Sequence, residues 1–289
     1  MDEKLTLKDI AKALNTTAAT VSRALRDHPR ISYETKARVL EYAGLHNFKL
    51  NKIASSLRSG QTQVVGVMIP SAEINFFGSV VHGIESMANM EGYTVLIYQT
   101  NEKKECEIKG LETFLSARVD GILVSLAKDT IDFEHFSTIK KRGIPIAFFD
   151  RYHDQLGISS VVIDDFKGAY LATQHLIDNG YSAIAHITGP LNIKTFNDRL
   201  NGYKKALKDN GLKFIPGMLH SGNISIEAGR EGVRNLLKKN KKVDAIFAVE
   251  DFTALGVLKE LKEMAIKVPS EMGVIGFANE KFDEHLTPS

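Results

Sequence analysis

Six side chains in this 289-residue sequence combine charge or aromaticity with positions from which they could grip a small polar molecule. Phe76 and Phe77 follow the run VVGVMIPSAEIN, Asp150 and Arg151 follow IPIAFF, Arg199 comes after HITGPLNIKTFND, and Asp251 follows AIFAVE. Paired Arg and Asp can hold vicinal hydroxyls or a carboxylate through charge-assisted hydrogen bonds, and a phenylalanine face can stack on a sugar or base. Each has a plainer alternative: Asp251 as the cap of a following helix, Asp150 with Arg151 as a local ion pair, and the phenylalanines as core.

Covalent chemistry has little to stand on. The sequence holds no G-x-x-x-x-G-K-[ST] loop, no H-E-x-x-H and no G-x-S-x-G, and GVIGF is not a G-x-G-x-x-G fingerprint. The nine histidines show no ligand spacing, and the single Cys106 excludes an internal disulfide and any multi-thiolate metal site. An enzyme is not expected, nor a metal or a cofactor; a Rossmann-like enzyme and a sugar-sequestering binding protein are the rival readings.

The elements that must position those six residues are strands alternating with helical patterns. Near-continuous apolar runs at 64–69, 94–99, 121–126, 144–149, 183–188, 245–249 and 272–277 suit strands buried on both faces of parallel sheets. The expected fold class is α/β: two doubly wound parallel sheets with a cleft beyond the carboxyl ends of their strands, behind an all-α head. The length exceeds the roughly 250 residues at which single cores stop growing, so more than one domain is expected.

The head begins with LTLKDIAKALNTTAATVSRAL. Thr6 with Asp9 makes a capping-box variant, after which Leu7, Ile10, Ala11 and Leu14 recur at helical spacing. Asn15 stands at the turn, where a left-handed backbone is needed. Thr17 caps a second helix with Val21, Ala24 and Leu25 facing inward and Ala18, Ala19, Ser22, Arg23 and Arg26 facing outward. Such a face, small at its leading end and cationic later, suits a DNA major groove. Ser32 starts a third helix to about Ala43 that packs Ala37, Leu40 and Ala43. Downstream, FKLNKIASSLRSGQT offers Asn51 as a cap and Ile53, Ala54 and Leu57 on one face of a helix too short to be stable alone.

Charge follows the same division. Residues 1–60 carry eleven Lys and Arg against six Asp and Glu, whereas the remainder carries 26 against 29. A basic head on a mildly acidic body is the distribution that phosphate binding needs. No run of about 18 apolar residues could span a bilayer, and the acidic start MDEKLTLKDIAKAL does not read as a secretory signal, so a cytoplasmic protein with no membrane partner is expected.

TLKDIAKALNTTAATVSRAL, NKIASSLRSG, VVGVMIPS, RVDGILVS, HITGP, AIFAVEDFTALG and VPSEMGVIGF, in this order, resemble the LacI/GalR family of bacterial transcriptional regulators. The resemblance implies a helix-turn-helix domain over 1–46, a hinge helix and linker over 47–62, and a periplasmic-binding-protein-like body. The body divides into effector-binding subdomains at 63–162 and 163–289. It further implies a repressor, a homodimer or tetramer, on palindromic double-stranded operator DNA. Its effector would be a small molecule in the cleft, a sugar or sugar phosphate before a nucleobase.

Ala18, Ala19 and Arg23 match the family's base-reading positions, and Leu57 its minor-groove wedge. The full DNA-contacting set is Thr6, Thr17, Ala18, Ala19, Thr20, Ser22, Arg23, Arg26, Asn51, Ala54 and Leu57. Arg199 and Asp251 match effector-contact positions, alongside Phe76, Phe77, Asp150 and Arg151. Leu50 stands where members usually have Pro, and Ser55 where many have Arg. The chain stops at FDEHLTPS, where members usually continue through a further segment, so by the resemblance the body's final segment is missing from these 289 residues, as in a truncated regulator or a fragment of a longer chain.

Overall fold

The computed structural model describes residues 5–48, 60–239 and 242–287. The expected hinge residues Asn51, Ala54 and Leu57 lie outside these, as do Leu50 and Ser55. The chain forms two compact units, Met1–Thr62 and Gln63–Ser289.

The first unit contains α1 (Leu7–Ala13), α2 (Ala18–Ala24) and α3 (Tyr33–Leu45). All three start on the residues whose side chains can accept from an orphan backbone N–H: Thr6, Thr17 and Ser32 accept from Asp9, Thr20 and Thr35 respectively. Thr6 and Asp9 complete the reciprocal capping box. Asn15 takes φ 49°, the left-handed turn between α1 and α2. Ile10, Ala11, Val21, Ala24 and Val39 make the core.

Two expectations fail here. Leu40 is 55% exposed and Ala37 is also exposed; α3 instead buries Val39 and Ala43. A step of four residues holds one helical face, whereas 37, 40 and 43 drift around it. Ser22, expected to face outward, is buried beside Val21. A single small hydroxyl fits the flank of so small a core.

The second unit holds two parallel sheets. The first has order β2-β1-β3-β4-β5, from β1 (Val64–Ile69), β2 (Thr94–Gln99), β3 (Gly121–Val124), β4 (Ile146–Phe149) and β5 (Ser159–Val161). Helix α4 (Asn75–Met90) covers one face of this sheet through Phe77 against Val67, Ile69 and Phe149. Helices α5 (Lys104–Ser116) and α6 (Glu134–Lys141) cover the other through Leu111, Phe114, Phe136 and Ile139 against Met68, Ile122, Val124 and Phe148.

The second sheet has order β7-β6-β8-β9, from β6 (Ile184–Thr188), β7 (Leu219–Ser221), β8 (Ala245–Ala248) and β9 (Gly273–Ile275). Helices α7 (Asp165–Asp178) and α8 (Lys194–Asp209) lie on one face, and α9 (Ile226–Lys239) and α10 (Asp251–Glu263) on the other. Both helix pairs pack closely because glycines sit at the crossings. A Cβ on Gly202 would lie 2.2 Å from the Phe166 carbonyl oxygen, and one on Gly256 2.0 Å from that of Ile226.

Every pairing in both sheets is parallel, so all strand carboxyl ends within a sheet point the same way. Of the expected effector residues, Asp150 and Arg151 lie directly after β4, Phe76 and Phe77 in the first turn of α4, and Asp251 at the first residue of α10. Arg199, expected in a loop, lies on α8, whose helix begins at Lys194.

Candidate functional site

In the head, α2 presents Thr17, Ala19, Arg23 and Arg26 to solvent, whereas Ala18 and Thr20 are half-buried and Ser22 is buried. The Thr17 hydroxyl is engaged twice, accepting from Thr20 N at 3.1 Å and lying 2.9 Å from the Thr20 hydroxyl. Thr6 is exposed, and its hydroxyl donates to Asp9 Oδ2 at 2.5 Å. That bond and the Thr6 N–H hold the Asp9 carboxyl below the usual range.

In the body, cross-links between the two sheets' loops bring the strand ends together. Asn192 Nδ2 donates to the Lys128 carbonyl at 2.8 Å, and Lys128 Nζ to Asn223 Oδ1 at 3.1 Å. Lys194 Nζ lies 3.6 Å from Asp154 Oδ2, and the Thr195 hydroxyl 3.5 Å from the Asp150 carbonyl. Arg151 and Arg199 both act electrostatically on Asp150 here, and Asp251 lies two residues past the Val249 carbonyl that Arg199 bonds.

Arg199 is buried and held on three sides. Its Nε donates to Asp165 Oδ1 at 2.8 Å, its Nη1 to the Val249 carbonyl at 2.6 Å, and its guanidinium carbon stands 3.8 Å above the Phe277 ring. Asp251, 5% exposed, accepts from Glu280 N at 2.9 Å. The cap of α10 is Glu250, which accepts from Phe252 N, Thr253 N and the Thr253 hydroxyl. Asp251 is thereby left out of capping.

Asp150 sits at φ 58° and accepts from the Ser125 hydroxyl at 3.3 Å. Arg151 Nε is 3.9 Å from Asp150 Oδ2, too long for a hydrogen bond. The Arg151 partner is Glu102, whose two carboxylate oxygens lie 3.0 and 2.7 Å from Nη1. Arg151 therefore serves to tie loops together, with Phe77 and Phe196 flanking its guanidinium at 5.9 and 6.0 Å. Phe77, expected to stack on a ligand, is 2% exposed and belongs to the core under α4. Phe76 is 38% exposed and packs edge-on against it.

Burial sets the protonation of this region. Desolvation pushes the carboxyls of Asp150, Asp165 and Glu250 upward, against the lowering pull of Arg151 and Arg199 on Asp150, of Arg199 on Asp165, and of Thr253 and the Phe252 N–H on Glu250. Asp283 is raised to about 6 by desolvation first and by neighbouring Asp251 second.

Several residues of the region went unrecognised in the sequence. Glu102, Asp165, Ser125 and Lys128 act through partners 25 or more residues away. The one signal for Asp165 was its place in the first turn of a helix after Asp164, the α7 cap. No group of three or more His, Cys, Asp or Glu among the described residues could hold a metal ion.

Comparison with known proteins agrees with this architecture. Residues 6–51 match the family of bacterial regulatory proteins, lacI family, and residues 62–284 match periplasmic binding proteins and the sugar binding domain of the LacI family. Catabolite control protein A of Priestia megaterium is 31% identical over 98% of this chain and 85% of its own length. The ribose operon repressor of Halalkalibacterium halodurans is 30% identical over 98% and 83%. The crystal structure of CcpA of Lactococcus lactis superposes with a TM-score of 0.72 at 29% identity, covering 78% of this chain and 82% of its own. The Lac repressor dimer bound to operator and the anti-inducer ONPF, at 24% identity, shares the fold with a TM-score of 0.85 over 98% and 84% of the two chains. The chain belongs to the LacI family of bacterial regulatory proteins: a DNA-binding transcriptional regulator with an effector-binding body, and not an enzyme.

Proposed function

We propose that the protein is a cytoplasmic repressor that binds a palindromic operator as a homodimer and responds to a sugar-like effector held between its two sheets. The observation that carries the effector reading is the buried Arg199, oriented by Asp165 and the Val249 carbonyl, near Asp150 and Asp251 at the strand ends. On the DNA side, the Thr17-capped α2 offers Ala19, Arg23 and Arg26 to base edges and phosphates. Thr6, Ala18 and Thr20 flank that surface, and Asn51, Ala54 and Leu57 serve as the hinge contacts.

The mechanism we favour is a population shift. The links from Lys128 to Asn192 and Asn223 hold the two sheets' loops at one mutual angle. A ligand among Asp150, Arg199 and Asp251 changes the stability of that angle, which biases the hinge of each protomer. Couplings of this kind are worth about 1 to 3 kcal/mol. An apolar groove between α4 and the first sheet, lined by Val65, Ile84, Met87 and Leu123, supports pairing with a second copy.

Selection of bound duplexes from a random DNA pool tests the reading. A recovered palindrome with a deformable centre is expected. Binding that weakens with salt and shows no sequence motif would overturn it.

A further inference from the structure

Lys128, in the loop after β3, reaches the second sheet in two ways. Its carbonyl accepts from Asn192 Nδ2 at 2.8 Å, in the loop after β6, and its Nζ donates to Asn223 Oδ1 at 3.1 Å, in the loop after β7. The two ends of this connection are unequally held.

On the first-sheet side the anchors are carboxylates. Glu107, fully buried on α5, accepts from Ala127 N at 2.6 Å and from the Thr130 hydroxyl at 2.8 Å, and lies 2.9 Å from His135 Nε2. Glu102 accepts from Lys128 N at 2.9 Å and is itself paired with Arg151. Hydrogen bonds to a carboxylate away from water are strong, so residues 127–130 move with the first sheet. On the far side both partners are neutral, exposed amides. The connection therefore breaks at the asparagines, where each bond contributes least.

A separate observation shows that the sheets can part. Between β5 and α7 the chain crosses from one sheet to the other over 162–164, and all three positions are exposed, Val162 by 39% and Ile163 by 65%. A crossover with so little packing offers small resistance to rotation. Thr195, by contrast, is shut in at 4% exposure, its hydroxyl 3.5 Å from the Asp150 carbonyl of the other sheet.

Resting on the effector-cleft reading above, we propose that Lys128 is a positioning residue that clasps the ligand-free body shut, and that the strength of this clasp sets the share of open molecules an effector can enter. Lys128 thereby governs apparent effector affinity through Asn192 and Asn223, without touching the ligand.

Thiol labelling of the full chain, with no effector present, tests the clasp. Cys106→Ser removes the single native thiol, and Thr195→Cys places a reporter between the sheets, where the labelling rate with a chromogenic disulfide reagent follows the open share. In that background Lys128→Ala should speed labelling about five-fold, the worth of one such hydrogen bond. Asn223→Asp gives Lys128 a charged partner and should slow labelling about two- to five-fold. Lys128→Arg keeps a donor and should stay near the parent rate. Equal rates in Lys128→Ala and the parent, or no slowing in Asn223→Asp, would overturn the proposal. So would a matching rise at Val233→Cys, a reporter buried between α9 and the second sheet, because the whole body would then be unfolding. Since no ligand takes part, failure of the clasp leaves the effector reading to a sugar titration, and failure of that titration leaves the clasp standing.

Discussion

Arg199 Nε donates to Asp165 Oδ1 at 2.8 Å, joining α8 to α7 through a pair in which both side chains are less than a tenth exposed. Desolvation already strains Asp165, raising its carboxyl pKa, and the guanidinium is what offsets it. Arg199→Ala should therefore destabilise the body by about 3 to 5 kcal/mol, the range for orphaning one partner of a buried pair. The double variant Arg199→Met with Asp165→Leu should recover most of that loss, because neither charge is then left unpaired. Urea unfolding of the two variants checks the difference. Equal losses would mean that the pair is not the source of the stability.

That pair also marks what was hidden in the sequence. Arg199 was legible as a site residue, but Asp165 stands 34 positions earlier and meets it only because α7 and α8 cross at Gly202. Local signals survived into the structure: the caps Thr6, Thr17 and Ser32, the left-handed Asn15, and the seven apolar runs that became strands. Strands β5 and β7 gave no such signal, since each has three residues and none is fully buried. Arg151 shows the limit of reading neighbours. Adjacency suggested a pair with Asp150, which does stand 3.9 Å from Nε, but the hydrogen bonds of Nη1 go to Glu102, itself set at φ 62° by the loop after β2.

The crossing of α9 and α10 depends on two glycines in the same way. A Cβ on Gly229 would stand 2.1 Å from the Thr253 carbonyl oxygen, and one on Gly256 2.0 Å from that of Ile226. Neither partner is a flexible side-chain end, so the helices must separate. Gly229→Ala and Gly256→Ala should each cost about 3 kcal/mol or more, at or above the upper end for overpacking. Gly83→Ala, on α4 with nothing near its Cβ, should be neutral or stabilising. Thermal melting of the three variants side by side distinguishes a packing effect from a general intolerance of helical alanine.

His186 on β6 predicts how stability responds to acid. It is fully buried, stacked 4.5 Å from the Phe247 ring, with Nδ1 2.9 Å from the Phe247 carbonyl, and burial lowers its pKa from 6.5 to about 4. Above pH 6.5 both folded and unfolded chains hold it neutral, so its contribution is fully present there. As pH falls from 6.5 toward 4 the unfolded chain takes up a proton that the folded chain resists, and about 3 kcal/mol is lost. The raised carboxyl of Asp283 works the other way, its stabilisation being lost as pH rises from about 4 through about 6. His186→Phe should therefore flatten the acid limb of the stability profile, whatever its effect at neutral pH. An unchanged slope between pH 6.5 and 4 would refute the burial argument.

Thr17 has two separable roles. Its hydroxyl caps α2 by accepting from Thr20 N at 3.1 Å, and the proposed operator surface begins at the same residue. Thr17→Ala should remove the cap and cost the head about 1 kcal/mol. Thr17→Asp keeps an acceptor at the cap and places negative charge at the helix N-terminus, where the helix dipole favours it. Head stability, followed by amide exchange in α2, should survive that change. Operator affinity should not, because the new carboxylate faces the phosphate backbone. A Thr17→Asp protein that still bound the selected operator at full affinity would place the DNA surface elsewhere on the head, whereas loss of both properties would mean that the cap alone governs the helix.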